Sequence, residues 1–284
     1  MCTPMSVRIG RIDYLNIWHI FHLLAQHCPA GPDFHYVPGH PSQLNHALAT
    51  GDLDISPSSS FEYLLRAEHY QLLPAASISA HDHVQSVLLL SPTPTDNLAA
   101  WLTHNPGPVL LTSASATSTA LLKILWTQKW GFTEPDWQEV EPGQGIASGR
   151  PFLEIGNFAL RHFVHPPSGY HCIDLAQEWT AWTDLPFVFA VWIVRRTLPA
   201  RTRALLSTLH SHITAITTTL DQHFSKLSGL SQRPDWLTQA ELIRYWQAMH
   251  YTLDAREQAG LALFGECCTR QGLLDGMPAL RWFE

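Results

Sequence analysis

The sequence predicts an α/β protein with two lobes, mostly parallel sheets and a cleft between the lobes. Short apolar runs typical of strands alternate with helical patterns, which is the arrangement of parallel sheets covered on both faces. Polar segments near residues 92 and 196 predict two chain crossings, so that 1–91 plus 197–284 form lobe 1 and 92–196 form lobe 2. Small polar residues follow several strands, and ligands of such sheets bind beyond the carboxyl ends of strands.

Composition and charge exclude several classes of protein. The 284 residues are 45% hydrophobic, as in a globular protein, and the formal net charge is −7 with only 17 Lys and Arg. Because no basic run is present, a nucleic-acid partner is not expected. No apolar run reaches the roughly 18 residues of a membrane span. The N-terminus lacks the charged and apolar regions of a secretory signal, so we expect a cytoplasmic protein.

Neither metal nor disulfide chemistry is expected. The 17 His are scattered without a metal-ligand spacing, and the five Cys, from Cys2 onwards, form no CxxC pair. Cys267 and Cys268 lie in an apolar run, which is typical of reduced cysteines in the core of a cytosolic protein. The sequence therefore predicts no metal site and no organic cofactor.

The clearest candidate site follows the predicted strand 109–111. The segment that comes next, TSASATST, is dense in hydroxyl residues and leads into a helical apolar pattern. Free N–H groups and the positive end of the helix dipole favour an anion at such a helix start. Because no Gly-rich phosphate loop and no P-loop Lys accompany it, a carboxylate is favoured over a nucleoside phosphate. The alternative is that these hydroxyls only cap the helix.

Similar polar junctions recur along the chain. They are Asn16 after strand 7–12, Ser56 and Ser58 after strand 53–55, Ser86 at the opening of the apolar strand 86–90, and Gly156 and Asn157 after strand 152–155. Asn16 stands at the expected N-cap of the first helix, so a cap and a ligand contact are equally open. Ser59 and Glu62 have the spacing of a capping box. The junctions together predict a clamp that closes on a small polar molecule.

The C-terminal part of the chain is predicted to support the fold. The aromatic run 173–196 is typical of a core or a lobe interface. A long helix after Pro199 carries one apolar face at spacings of three and four residues, which indicates packing and not catalysis. Thr238 and Asp254 mark the starts of two closing helices.

Six ordered motifs resemble those of the chorismate dehydratase family. They are RIGRIDYLN, GDLDISPSSSFEYL, SVLLLS, LTSASATSTALLKIL, FLEIGNFAL and DLAQEWTAWTDLPFVFAVWIVRR, and the resemblance covers nearly all of residues 7–283. It implies the two-lobed fold of type II periplasmic binding proteins. It also implies conversion of chorismate to 3-((1-carboxyvinyl)oxy)benzoate and water, the first step of the futalosine route to menaquinone. This reaction needs no cofactor in principle.

The resemblance also implies roles for individual residues. Asn16 and Ser86 are expected to lie against the reacting ring. The residues expected to hold the substrate are Ser56, Ser58, Thr112, Ser113, Ser115, Ala116, Thr117, Gly156 and Asn157. Two positions depart from the family pattern: Asn157 replaces an Asp, which removes a negative charge near the cleft, and Asp184 replaces a Gly in a turn.

Hydroxyls and amides are poor bases near neutral pH, so a substrate carboxylate held beside the ring proton is the candidate base. Two other functions are open. A related enzyme of the same fold and pathway makes 1,4-dihydroxy-6-naphthoate and uses a His in the segment that corresponds to 155–157, where this chain has none. A cytosolic carboxylate-binding protein without activity is the second, because a fold does not fix a function. The oligomeric state, monomer or homodimer, is also open.

Overall fold

The computed structural model describes residues 6–284, without the side chain of Ala75, so Cys2 and the N-terminal segment 1–5 lie outside the described residues. Its strands form two five-stranded sheets. The strands are β1 Val7–Arg11, β2 Phe34–Pro38, β3 Ile55–Ser59, β4 Tyr70–Ala80, β5 Val87–Ser91, β6 Val109–Thr112, β7 Trp137–Val140, β8 Phe152–Ile155, β9 His171–Asp174 and β10 Phe187–Arg195. The first sheet has the order β2-β1-β3-β10-β4, and the second has the order β7-β6-β8-β5-β9.

Both sheets follow the same plan, in which four strands run in one direction and one strand opposes them. In the first sheet β1 pairs in parallel with β2 and β3, while β10 pairs antiparallel with β3 and β4. In the second sheet β6 pairs in parallel with β7 and β8, while β5 pairs antiparallel with β8 and β9. The prediction of mostly parallel sheets in an α/β fold is confirmed.

Helices pack on both sheets: α2 on β3, α8 on β4, α11 on β10, and α6 on β5 and β8. The helices are α1 Trp18–His27, α2 Pro41–Thr50, α3 Ser60–Leu65, α4 Thr95–His104, α5 Ala116–Ile124, α6 Gly156–Val164, α7 Leu175–Thr183, α8 Ala200–Thr219, α9 Phe224–Leu230, α10 Gln239–Gln247 and α11 Ala255–Arg270. A π-helix, Leu125–Lys129, extends α5, and 3-10 turns span Gly145–Ser148 and Leu220–His223. Within residues 6–284, no helix combines the length and the apolar character that crossing a membrane requires.

Strand pairing corrects the predicted lobe boundaries. The prediction placed β5 in lobe 1 and β10 in lobe 2, whereas β5 pairs within the second sheet and β10 within the first. The chain therefore crosses between the sheets at residues 81–86 and 184–186, not near 92 and 196. The Pro-rich segment after residue 92 carries α4, with Pro94 at the N-cap. Both strands are apolar and interior to a sheet, so their composition does not reveal which sheet they join.

Aromatic side chains join the two lobes. Trp179 of α7 and Phe187 of β10 have ring centroids 5.2 Å apart, and Phe264 of α11 lies 4.9 Å from Phe187. Trp179 belongs to the second lobe, and Phe187 and Phe264 belong to the first. The three side chains are buried. The aromatic run therefore packs at the lobe interface, as predicted.

The helix predicted after Pro199 is interrupted. α8 ends at Thr219, a 3-10 turn follows, and α9 starts at Phe224. Its apolar face is still one packed surface, because Leu209, Ile213 and Phe224 are buried in the core. The interruption preserves the buried face, so the spacing alone did not reveal it.

Gly260 provides a test of the contact between α11 and the second crossing. A Cβ added to Gly260 would lie 2.1 Å from the carbonyl oxygen of Pro186, a backbone atom that cannot move alone. We expect Gly260→Ala to destabilise the protein by about 1–3 kcal/mol, although Gly→Ala inside a helix ordinarily stabilises by up to about 1 kcal/mol. Gly229→Ala in α9 is the matched control, since its Cβ would meet only Gln239 Nε2, at 3.9 Å. Urea midpoints measure both; equal midpoints would contradict the expectation.

Candidate active site

A cavity of about 420 Å³ lies between the two sheets, where strands of both lobes have their carboxyl ends. Its walls come from the segments after β1 and β6, from β3, β10 and the end of β8, from α2 and α3, and from the first crossing. A second cavity of about 470 Å³ adjoins it and shares Tyr14, Ser113 and Gly156 with it. This is the place where the strand pattern predicts a ligand.

Most of the predicted site residues meet at these cavities. Those that line the first cavity are Asn16, Ser58, Ser86, Ser113, Ser115, Ala116 and Gly156. Asn157 lines the adjoining cavity. Residues that are far apart in the sequence are therefore brought to one space between the lobes.

Three predicted residues, Ser56, Thr112 and Thr117, line neither cavity. Ser56 is fully buried, and its hydroxyl donates to the carbonyl oxygen of Pro57 at 2.9 Å. Thr112 Oγ1 accepts a long hydrogen bond, 3.4 Å, from the N–H of Ala114. The hydroxyls of Ser56 and Thr112 thus bind the backbone of their own turns.

Thr117 links the two lobes. Its Oγ1 accepts a hydrogen bond from the N–H of Phe61 at 3.1 Å and lies 3.5 Å from the hydroxyl of Ser60. Ser60 and Phe61 start α3 in the first lobe, whereas Thr117 is in the first turn of α5 in the second. The hydroxyl of Thr117 therefore fixes one lobe against the other at the back of the cavity.

Asn16 is not a helix cap. α1 begins at Trp18 with Ile17 in the N-cap position, and no side chain caps it. The side-chain oxygen of Asn16 is buried and has no hydrogen-bond partner. A buried acceptor without a partner costs about 1–3 kcal/mol. Of the two roles left open by the sequence, the structure therefore excludes the cap and leaves the ligand contact.

Two further polar atoms at the cavity are buried without a partner: the hydroxyl oxygen of Ser58 and the side-chain oxygen of Asn45. With Asn16, they come from three different elements, and buried polar groups of native proteins are ordinarily satisfied. Three such atoms at one cavity fit a polar ligand. The sequence reading missed Asn45, although α2 follows the carboxyl end of β2 and the rule for strand ends applied there too.

Ser86 lies in the first crossing, one residue before β5. Its hydroxyl donates to the carbonyl oxygen of Val84 at 3.3 Å and accepts from the hydroxyl of Tyr245 at 2.9 Å. Its own carbonyl oxygen accepts from the N–H of Gly156 at 2.8 Å. Gly156 has φ +64°, a conformation that glycine adopts with least strain. Ser86 is therefore held from three sides beside the cavity.

Asp174, the N-cap of α7, holds the crossing that carries Ser86. Its buried carboxylate accepts from the N–H groups of Ala176 at 3.0 Å and Gln177 at 3.4 Å in the helix. It also accepts from Val84 at 3.3 Å and Gln85 at 2.7 Å in the crossing. Gln85 has φ +61°, which costs a non-glycine residue roughly 1 kcal/mol. The hydrogen bonds that Asp174 accepts from Val84 and Gln85 offset this conformational cost and fix the turn before Ser86.

One ion pair lines the cavity. Arg66 Nη1 lies 2.9 Å from Glu62 Oε1. Glu62 is in α3, and Arg66 follows one turn later at the C-cap of that helix. Arg66 is the only Lys or Arg among the lining residues within the described chain. Its guanidinium offers paired donors to a carboxylate. The sequence analysis did not identify Arg66. It assigned the Glu62 carboxylate to a capping box, but only the Ser59 half of that box forms: Ser59 Oγ accepts from Glu62 N at 3.1 Å.

The departure at Asp184 lies in the turn that ends α7. Asp184 has φ +58°, the left-handed conformation that favours glycine. Its carbonyl oxygen accepts from Arg256 Nη2 at 2.7 Å. A non-glycine residue thus holds a glycine-like conformation here, and Arg256 of α11 contacts the turn. Asn157, the other departure, lies in the first turn of α6 at the adjoining cavity.

A family model described as menaquinone biosynthesis matches residues 7–270. The chain belongs to this family. It is 31% identical over 206 residues to the chorismate dehydratase of Thermus thermophilus, a match that spans 67% of this chain and 70% of that protein. It is also 31% identical over 184 residues to the chorismate dehydratase of Campylobacter jejuni, over 64% of each protein.

Solved structures support the fold of this menaquinone-biosynthesis family member. A protein of Archaeoglobus fulgidus superposes with a TM-score of 0.71 at 14% identity, covering 96% of this chain and 100% of that one. The periplasmic aliphatic sulphonate binding protein of Escherichia coli gives 0.63 at 14% identity, over 97% and 95% of the two chains. At such identities the similarity shows the fold alone, and the predicted periplasmic-binding-protein-like fold is confirmed.

The crossing should respond to pH through His83. Its Nδ1 lies 3.7 Å from the carboxylate of Asp174, which raises the pKa of His83 above its ordinary value. The pair therefore stabilises the fold fully below the unfolded-state pKa of about 6.5, and this contribution is lost as the pH rises through the raised folded-state value. We expect the difference in unfolding free energy between wild type and His83→Gln to be largest in acid and to shrink above pH ~6.5. Urea titrations across this range measure it, and a constant difference would refute the role.

Proposed function

We propose that this protein is a chorismate dehydratase, a carbon–oxygen lyase that converts chorismate to 3-((1-carboxyvinyl)oxy)benzoate and water in the futalosine route to menaquinone. The observation that carries the proposal is the convergence of Asn16, Ser86 and the start of α5 on one cavity. These are the positions that the resemblance gives to the reacting ring and to the carboxylates. The family of the chain and its relatives named chorismate dehydratase support the same activity.

The charges around the cavity suit a substrate with two carboxylates. Ser113, Ser115 and Ala116 surround the start of α5, where the first N–H groups have no partner within the helix and the dipole is positive. Arg66, which is paired with Glu62, offers guanidinium donors from the other lobe. Closure of the lobes on a dianion would therefore pair each carboxylate with a positive group.

The chemistry assigned to the cavity is removal of one water. The ring carbon that bears the enolpyruvyl ether loses its proton, the electrons of that C–H bond form a ring double bond, and the neighbouring C–O bond breaks. The departing hydroxyl takes up a proton and leaves as water, and the ring becomes aromatic.

A substrate carboxylate is the proposed base. Glu62 is the one Asp or Glu that lines the cavity in the described chain, and it binds Arg66 and the hydroxyl of Tyr70. His46 of α2 also lines the cavity but is exposed to solvent. Apart from Arg66, the remaining polar side chains of the cavity are hydroxyls and amides, which are poor bases near neutral pH. A carboxylate held next to the proton acts by proximity, which lowers a barrier by several kcal/mol, roughly 7 or more in the best cases.

Incubation of the purified full chain with chorismate tests the function. We expect the ultraviolet absorbance of the diene to disappear and a product lighter by one water to form. Pretreatment with a chelator should leave the rate unchanged, because the proposed steps use only groups of the protein and the substrate. Binding of chorismate without turnover would instead support a carboxylate-binding protein. Loss of activity on chelation, restored by one metal, would overturn the metal-free mechanism.

Replacement of Asn16 or Ser86 tests the catalytic assignment. If these residues orient the ring and the leaving hydroxyl, Asn16→Ala and Ser86→Ala should each lower kcat at least about tenfold, equivalent to about 1.4 kcal/mol, with little change in KM. Ser56→Ala is the matched control, since the Ser56 hydroxyl binds the backbone of Pro57 outside the cavity. Steady-state kinetics and thermal midpoints are measured on all three. Wild-type kcat with a lowered midpoint in both cavity variants would remove them from the catalytic assignment.

A further inference from the structure

Two consecutive residues of α10 contact the two segments that carry the candidate catalytic residues. Tyr245 donates its hydroxyl proton to Ser86 Oγ at 2.9 Å. Trp246 donates its indole N–H to the carbonyl oxygen of Leu15 at 2.8 Å, and Leu15 directly precedes Asn16. Tyr245 and Trp246 are buried and line neither cavity. α10 therefore lies behind the catalytic segments and touches both.

The hydrogen bonds of Ser86 show what Tyr245 can do. A serine hydroxyl has one proton and two lone pairs. Tyr245 occupies one lone pair, and the proton of Ser86 points to the Val84 carbonyl oxygen at 3.3 Å, which is long for an O–H donor. One lone pair is left, and the proton is held weakly enough to turn towards a ligand. Since Ser86 lines the cavity, its free lone pair or its proton can reach a hydroxyl group of a substrate.

Tyr245 limits the directions in which this hydroxyl can point. Burial raises the pKa of Tyr245 well above its ordinary value, so its hydroxyl stays a neutral donor at every working pH. A donor that binds Ser86 Oγ polarises the Ser86 O–H bond and makes it a stronger donor in turn. It also blocks the rotations in which Ser86 would point its proton at α10.

We propose that Tyr245 is a positioning residue that acts through Ser86 on the departing hydroxyl of the substrate. The proposal rests on the proposed dehydratase function. Tyr245 holds the Ser86 oxygen so that its O–H donates a hydrogen bond to the hydroxyl whose C–O bond breaks. No proton is transferred to or from Tyr245. The negative charge that develops on the departing oxygen makes this bond stronger in the transition state than in the ground state.

α10 is itself built to hold this position. The hydroxyl of Thr238 accepts from the N–H of Glu241 at 3.2 Å, and the Glu241 carboxylate accepts from the N–H of Thr238 at 2.7 Å, which completes a capping box. The Trp246 ring packs against His19 of α1, with centroids 4.6 Å apart. The helix is thus anchored at its start and along its buried side, so Tyr245 approaches Ser86 from a rigid element.

The test is a set of four variants. Tyr245→Phe keeps the ring and removes only the hydroxyl. Tyr251→Phe is the matched control, since Tyr251 is also buried, lines neither cavity, and directs its hydroxyl to Met249 Sδ at 3.9 Å. Ser86→Ala and the double variant of Ser86→Ala with Tyr245→Phe complete a double-mutant cycle. For each protein kcat, KM and the thermal midpoint are measured with chorismate.

We expect Tyr245→Phe to lower kcat about tenfold while KM stays within about twofold, and Tyr251→Phe to change neither. Because Tyr245 acts through Ser86, the double variant should have the kcat of Ser86→Ala. Its thermal midpoint should exceed that of Ser86→Ala, since the single variant leaves the buried Tyr245 hydroxyl without its acceptor and the double variant does not. If the thermal midpoint recovers in the double variant while kcat stays at the level of Ser86→Ala, Tyr245 acts by positioning Ser86 and not only by stabilising the fold.

Three results would overturn the proposal. Wild-type kcat in Tyr245→Phe would show that the hydrogen bond serves the fold only. A kcat in the double variant that falls by the product of the two single effects would show that Tyr245 does not act through Ser86. A wild-type protein that converts no chorismate would overturn the dehydratase function and this inference with it, whereas the first two results leave the dehydratase function standing.

Discussion

The arrangement of the cleft depends on one buried carboxylate. Asp174 accepts hydrogen bonds both from the start of α7 and from the turn at Val84 and Gln85, where the chain passes from one sheet to the other. Those bonds hold Gln85 at a positive φ, and Ser86 follows at once. Without this acceptor, the turn would expose unpaired N–H groups and relax, because buried backbone donors require partners. The position of Ser86 thus depends on Asp174, the last residue of the neighbouring strand β9.

Some polar atoms at the cavity have no hydrogen-bond partner within the protein. Asn16, Asn45 and Ser58 each leave a buried oxygen without a partner, whereas Ser56, Thr112 and Thr117 bind within the protein. Unpaired polar atoms lower stability unless a ligand binds them. This contrast separates the polar groups that bind within the protein from those whose oxygens have no partner at the cavity. Ser86, which lines the cavity, is held by Tyr245 of α10 behind it and by the turn at Val84 and Gln85.

The structure decides one local signal that the sequence left open and corrects another. Asn16 has the side chain of an N-cap, yet α1 starts two residues later and leaves its oxygen free. The carboxylate of Glu62 fits a capping box by spacing, yet it turns to Arg66 on the next turn of the helix. In both cases the local spacing fits more than one partner, and only the folded structure shows which contact forms.

The sequence by itself determined the alternation of strands and helices, the polar residues at strand ends and the family of the chain, because these follow from periodicity and from contiguous motifs. Only the tertiary structure decided which sheet β5 and β10 join, since both are apolar interior strands that suit either sheet. It alone also placed Asn45 and Arg66 at the cavity and Tyr245 behind Ser86. Such contacts join residues that are distant in the chain, and no local pattern encodes them, because their energy exists only once the lobes have packed.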